Sequence, residues 1–402
     1  MPKSNTNKNM KQILLTAILL MASIIPAIAQ EPLISSEDSK TLLGRISKDG
    51  KAIASSNMNL QFYTSTAAEF DGGVFQDLAF KLNKVRLEIL GNIGNNLSYH
   101  FRQSFNKGSD PHSLDNLSSS VEYAFLKWKL TPAFDLTIGK QFVHFGGQEN
   151  WLNGIKIREF SDFNSSLPFY QAGINAAFHL TPSQEINLQL TNIRNGEEDE
   201  IYTYGVPEGI EKAKLPFLGT ANYDGKFYDG ALQFRYSLSY GQLARNKNVF
   251  YFTCSNVWER GPAMYYLDVM YSREGIDSKG LISELSAVHP QGGVTAQNVD
   301  YFTVIANADY RVHPCWNLYV KGAYELGSVY KSNGVYDKGL YRRTWNIQAC
   351  AEFFPKDVEG MLIFLHLSQK GRSLTGRAKT LGCHVDDTQR ISLGLVYTIP
   401  VF

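Results

Sequence analysis

The feature that most restricts this chain is a strict two-residue alternation sustained over long runs. In "DGALQFRYSLSYG", Leu232, Phe234, Tyr236, Leu238 and Tyr240 alternate with Gln233, Arg235, Ser237 and Ser239. Successive side chains of a strand point to opposite faces, so this stretch reads as one strand with an apolar side and a polar side. "KVRLEIL" sets Val85, Leu87 and Ile89 against Lys84, Arg86 and Glu88, and "NLSYHFRQSF" sets Leu97, Tyr99 and Phe101 against Ser98, His100 and Arg102. A composition with 22 Tyr and 24 Phe suits strands better than helices. The fold class is therefore all-β.

The same reading along the whole chain places strands near 57–69, 80–90, 96–106, 119–130, 133–144, 171–180, 184–194 and 230–241. The remainder lie near 247–256, 262–272, 299–311, 315–327, 341–354, 360–369 and 388–402. Connections such as "GNIGNN", "LTPSQ", "VHPC" and "PKDVEG" are short and turn-like, whereas 107–118, 145–170, 195–229 and 370–387 are long and polar. Short turns alternating with long loops are the habit of bacterial outer-membrane barrels. The alternation fails once, between 273 and 298. A sixteenth strand at "LISELSAV", residues 281–288, would repair it and give the even number such barrels require.

Two all-β architectures fit an alternating pattern: a secreted sandwich and a transmembrane antiparallel barrel of about 16 strands. Runs of roughly 10 residues suit a tilted membrane crossing, and sandwich strands average nearer 5 or 6. Tyr240, Tyr271 and Tyr324 stand toward the ends of apolar stripes, where an interface girdle would put them. The barrel is favoured, and the secreted glycan-binding sandwich is the alternative.

The start of the chain agrees with export. After a polar opening comes "ILLTAILLMASIIPAIA", ending on small residues at Ala27 and Ala29, the form of a secretory signal over residues 1–29. Its removal takes Lys3, Lys8 and Lys11 and no acid, so 39 basic groups less three leave 36 against 38 acidic ones. A chain so balanced gives no reason to expect a nucleic-acid partner. Residues 30–56 show no strand pattern and read as a short periplasmic tail before a barrel at 57–402. Cys254, Cys315, Cys350 and Cys383 are far apart and form no CxxC pair, so no zinc or redox site is expected, and their pairing is left open.

The last strand, "TQRISLGLVYTIPVF", alternates apolar residues and closes on Phe402, which resembles the signal read by the barrel-assembly machinery of bacterial outer membranes. The segment "LTIGKQFVHFGGQENW" resembles the strand-to-loop step of the phosphate-selective porin O and P family, and "INLQLTNIRNG" is similar to a later strand of that family. The sequence departs from the family at His144, where proline usually precedes Phe-Gly. The resemblance implies a trimeric, lipid-embedded barrel with a water-filled pore for small hydrophilic solutes and anions such as phosphate. It also implies that the third outside loop, 145–170, folds inward to narrow the lumen.

Anion selectivity needs positive side chains converging on a constriction. If the turn centres near residue 94, Arg86 stands opposite Arg102 and Glu88 opposite His100, with Lys84 one step away. Lys156 and Arg158 in the loop, and Arg235, Lys321 and Arg342 on strands, complete the basic candidates. Asp135, Asp268, Glu325 and Glu352 offset them, and no dense arginine row occurs, so the expectation is a weak anion preference or a general pore rather than a phosphate filter. A barrel enzyme or adhesin is the remaining alternative. His179 and His366 fall on lumen-facing positions, but no GxSxG or HExxH motif accompanies them, and neither a catalytic role nor a cofactor is expected.

Overall fold

The computed structural model describes residues 54–108, 114–152, 154–197, 201–287, 289 and 292–401. The signal segment, most of the proposed tail and Phe402 lie outside the described residues. The strands are β1 (Ala54–Asp71), β2 (Val74–Ile93), β3 (Leu97–Ser104), β4 (Val121–Thr131), β5 (Phe134–Phe142), β6 (Tyr170–Thr181), β7 (Gln184–Asn192) and β8 (Phe217–Phe227). They continue as β9 (Leu232–Ala244), β10 (Lys247–Arg260), β11 (Ala263–Ile276), β12 (Gln297–His313), β13 (Trp316–Val329), β14 (Gly339–Phe353), β15 (Met361–Leu374) and β16 (Thr388–Pro400). Each pairs with its sequence neighbours, and β1 closes on β16 in an antiparallel register running from Asn59 opposite Pro400 to Asp71 opposite Thr388. A closed ring leaves no sheet edge to satisfy, which is what a sheet in lipid requires.

Burial is inverted relative to a water-soluble sheet. On β7, Leu188 and Leu190 are 50% and 52% exposed, while Asn187 and Gln189 between and beside them are 1% and 4% exposed. The same holds around the ring: Leu126, Ile138, Ile174, Leu238, Leu267, Ile347 and Leu393 look outward, and Thr137, Asn175, Ser239, Ser255, Thr303 and Asn346 look inward. Aromatic residues ring the end that carries the short turns. There Phe134 meets Phe178 at 5.0 Å, Trp258 meets Tyr265 at 5.5 Å and Trp316 meets Phe353 at 4.9 Å. An apolar outer band bounded by aromatics is the surface a bilayer selects.

Two sequence expectations need correction. The sixteenth strand is β8, not residues 281–288. In "FLGTANYDGKF", Thr220, Asn222 and Asp224 face inward and Phe217, Tyr223 and Phe227 outward, but Gly219, Ala221 and Gly225 interrupt the outward stripe and Leu218 is buried on the polar side, so the alternation is faint. Residues 283–286 instead form a 3₁₀ turn, and Ile282 and Leu285 are apolar because they pack beneath neighbouring loops. The second correction concerns β2 and β3. A three-residue connection, Gly94 to Asn96, sets Ile93 opposite Leu97, so Arg86 faces Ser104 and Arg102 faces Glu88. The shift is two residues, which preserves the facing of every side chain.

At the other end the longer loops pack on one another. Phe145, Phe163 and Leu167 join Tyr202, Ile282, Leu285, Tyr336 and Leu381 in one buried apolar cluster. That cluster roofs part of the barrel and gives the loop after β5 a surface to rest on.

Candidate functional site

The segment between β5 and β6 turns at Gly146 (φ 75°) and Gly147 (φ 85°), a left-handed pair that glycine adopts without strain. A Cβ at Gly146 would also stand 2.9 Å from that of Ser237. Two single-turn helices follow, α1 (Gln148–Trp151) and α2 (Asp162–Ser165). The first amides of a helix lack intrahelical partners, and wall carboxylates accept them. Gln148 N and Glu149 N each donate to Asp268 on β11 at 3.0 Å. Asp162 N and Phe163 N donate to Glu325 on β13 at 3.0 and 2.9 Å.

Glu149 joins the two ends of the loop to the wall. Fully buried, it receives Lys321 Nζ at 2.6 Å, Ser161 Oγ at 2.8 Å and Asn164 Nδ2 at 2.5 Å. Farther along, the Arg158 guanidinium lies 4.1 Å from the Phe364 ring centroid and 3.3 Å from Glu352. Asp162 is held by Arg342 and, at 2.8 Å, by Lys370. Burial raises the Asp162 carboxyl, but Arg342 and Lys370 outweigh it and hold the group below the ordinary carboxylate range. Glu159 behaves likewise, burial being outweighed chiefly by Lys370 at 3.3 Å.

Opposite this loop, on β2 to β4, is a second charged group built on Glu122. Its carboxylate lies 3.0 Å from Arg86, 2.9 Å from Arg102 Nε and 3.0 Å from Lys107. Arg102 also stacks 3.9 Å from the Tyr123 ring centroid and donates to Tyr170 Oη at 2.8 Å. The Lys84 ammonium points toward the loop, 3.7 Å from where a Cβ on Gly154 would be. Arg86 and Glu122 are 0% and 1% exposed. A shared carboxylate, not a solution anion, relieves the repulsion between the two guanidiniums.

A family model for phosphate-selective porin O and P matches residues 56–399. The chain belongs to that family. A search of curated protein sequences finds no match. Among solved structures, the outer-membrane channel DcaP of Acinetobacter baumannii is similar at a TM-score of 0.61 and 12% identity, over 89% of this chain and 99% of its own. An anion-selective porin from Comamonas acidovorans gives 0.55 and 10%, over 86% and 100% of the two chains. A trimer form of OmpT from Vibrio cholerae gives 0.51 and 11%, over 86% and 99%. Identities this low speak for the fold alone, and the fold is that of an outer-membrane porin.

The porin distributes its candidate basic residues over separate places. Lys156, Arg158, Arg235 and Lys321 line a cavity of about 710 Å³ between α1 and the turn-side parts of β9 to β14, together with Arg311. Arg342 lines a smaller cavity of about 320 Å³ toward the loops, beside Arg372 and Asp162. Lys84, Arg86 and Arg102 belong to neither. Of the histidines, His179 is held by Asp135 and Glu185, both at 2.9 Å, and His366 is buried against Gln348 at 3.3 Å. Among the described residues no group of His, Cys, Asp and Glu is arranged to hold a metal.

Sequence reasoning missed Glu122, Glu149, Arg311, Lys370, Arg372 and Arg390. By strict alternation from Leu126 and Trp128, Glu122 belongs on the lipid face. A register shift opposite Arg102 and Gln103 makes it a bulged residue, and a bulge breaks the parity on which a pattern argument rests. Glu149 lies in a loop, where no periodicity points to a partner more than a hundred residues away.

Proposed function

We propose that this outer-membrane porin passes small hydrophilic solutes by passive diffusion, with a weak preference for anions, through a lumen narrowed by loop 145–170. The observation that carries the reading is the seating of that loop. Both short helices are held by wall carboxylates, and Glu149, Asp162 and Glu159 reach basic residues on β13 to β16. A segment tied at so many points is a fixed obstruction rather than a free flap.

The preference for anions rests on five basic against three acidic side chains around the larger cavity. A surplus this small favours anions without selecting one, and phosphate selection would call for a denser set of donors. We assign selectivity chiefly to Lys156, Arg235 and Arg311, with Arg158 and Lys321 in the same lining but paired to Glu352 and Glu149, whereas Arg86 and Arg102 act by holding β2 to β4 together through Glu122. Arg342 anchors the loop, and Lys84 stands beside it. Residues 1–29 serve as the export signal, the C-terminal strand ending at Phe402 is offered to the assembly machinery, and three copies associate in the membrane. A catalytic role is not proposed: His179 is held by Asp135 and Glu185, and His366 hydrogen-bonds Gln348.

The test is single-channel conductance and reversal potential of the refolded mature chain in a planar bilayer under a chloride gradient. The expected result is an open channel with a small anion-leaning reversal potential, reduced by Lys156→Gln with Arg235→Gln and little changed by Arg86→Ala with Arg102→Ala. A cation-leaning potential, or a folded barrel that never conducts, would overturn the reading.

A further inference from the structure

The cavity of about 710 Å³ has the volume of a small-molecule site and a lining that mixes aromatic faces with basic edges. Two of its arginines stand out. Arg235 is directly across the β8–β9 pair from Asp224, yet no ion pair joins them. Its guanidinium lies instead 4.5 Å from the Trp151 ring centroid on α1. Arg235 is 6% exposed; one of its terminal nitrogens donates to Gln233 Oε1 at 3.1 Å, and its Nε is buried without a hydrogen-bond partner. Arg311, at the turn side of β12, lies 4.1 Å from the Phe354 ring centroid and makes no ion pair among the described residues.

Stacking consumes the face of a guanidinium and leaves its in-plane N–H edge free, the edge that takes a carboxylate in two parallel bonds. The cavity's other charges are engaged. Arg158 pairs with Glu352, Lys321 with Glu149, Glu259 accepts from Gln233 and Asp309 from Asn317. Among the basic lining residues, Arg235, Arg311 and Lys156 make no ion pair within the described residues, and they line the space beside Trp151, Leu152, Ile157 and Tyr266, while the carboxylates Glu259 and Asp309 are held by amides.

We propose that this cavity is a transit site for small organic anions, a carboxylate on a compact apolar body, with the carboxylate at the edge of Arg235 or Arg311 and the body against Trp151 and its apolar neighbours. Inorganic phosphate has no apolar surface to offer this lining, so the site ranks carboxylates of this kind above it. The inference deepens the pore reading and rests on it only for the word transit. Binding itself requires the cavity alone.

The experiment uses the detergent-refolded chain and three probes: cyclohexanecarboxylate, cyclohexanol and inorganic phosphate. In a planar bilayer, cyclohexanecarboxylate should reduce chloride current at a lower concentration than phosphate does, and cyclohexanol should have little effect. Arg235→Gln and Arg311→Gln should each raise the half-effect concentration about tenfold, the loss of one charge-assisted contact. Arg245→Gln, at an exposed loop tip, should leave it unchanged. Binding is read independently from the fluorescence of Trp151, taken as wild type minus Trp151→Phe. Saturable fluorescence change without any conductance would sink the pore reading and keep the site. Conductance with equal effects of phosphate and cyclohexanecarboxylate, or a half-effect concentration indifferent to both arginine variants, would sink the site and keep the pore.

Discussion

Replacing Glu149 by glutamine removes one charge from the centre of the loop's attachment and keeps its size. The amide can still accept from Ser161 Oγ and Asn164 Nδ2, which approach at 2.8 and 2.5 Å. It can no longer neutralise Lys321, whose Nζ stands 2.6 Å from the carboxylate with both side chains nearly inaccessible to solvent. Breaking a buried pair on one side costs about 3–5 kcal/mol, because the remaining charge is left in a poor solvent. Taking the lower figure, about 3 kcal/mol, the population of chains with the loop unseated rises by about two orders of magnitude. Arg158 is buried against Phe364 while the loop is seated, so trypsin cleavage after Arg158, located by mass spectrometry, reports that population. Adding Lys321→Met to the variant removes the stranded charge, and cleavage should return most of the way to the wild-type rate. If Glu149→Gln cleaves within about twofold of wild type under conditions where opening is fast, the loop is not held by this pair and the account of its seating is wrong.

Other perturbations separate the barrel's parts. Arg102→Ala strips one partner from the buried Glu122 and should lower unfolding stability in urea by about 3 kcal/mol, while barely moving the reversal potential; a large potential shift without destabilisation would contradict the structural role given to that group. Gly139 has φ 124°, and a Cβ there would lie 2.3 Å from the Ala124 carbonyl oxygen, so Gly139→Ala should prevent the heat-resistant folded band in gel electrophoresis. Gly94→Ala, at φ 62° with open space around it, should fold and cost only about 1 kcal/mol. For pH, the Asp162 carboxyl is held below its ordinary range, so its contribution is fully present above the unfolded value of about 4 and is lost as pH falls through the lower folded value. The difference in urea unfolding stability between wild type and Asp162→Asn should therefore persist from pH 8 to about 5 and vanish in stronger acid; a difference that disappears between pH 7 and 5 would refute the assignment.

What could be read from the sequence, and what could not, divides along one physical line. Lipid outside and polar groups inside force a two-residue period on each strand, so strands such as β9 with Leu232 to Tyr240, and the turns that join them, were legible from local pattern. Three of the outward positions of β8, Gly219, Ala221 and Gly225, satisfy lipid by being small rather than large, and they break the bulky stripe that Phe217, Tyr223 and Phe227 would otherwise mark. Among the inward polar positions, the two-residue period does not tell which side chains meet. Asp268 and Glu325 look like any lumen acids until the amides of residues 148–149 and 162–163 arrive from a loop more than a hundred residues distant. The sequence reading placed these acids as counter-charges to Arg235, Lys321 and Arg342, where two of their principal partners are backbone amides of the loop. That difference bears on the proposed function: carboxylates already committed to holding the loop bind solution cations less well, and neither Asp268 nor Glu325 lines the larger cavity to which the anion preference is assigned.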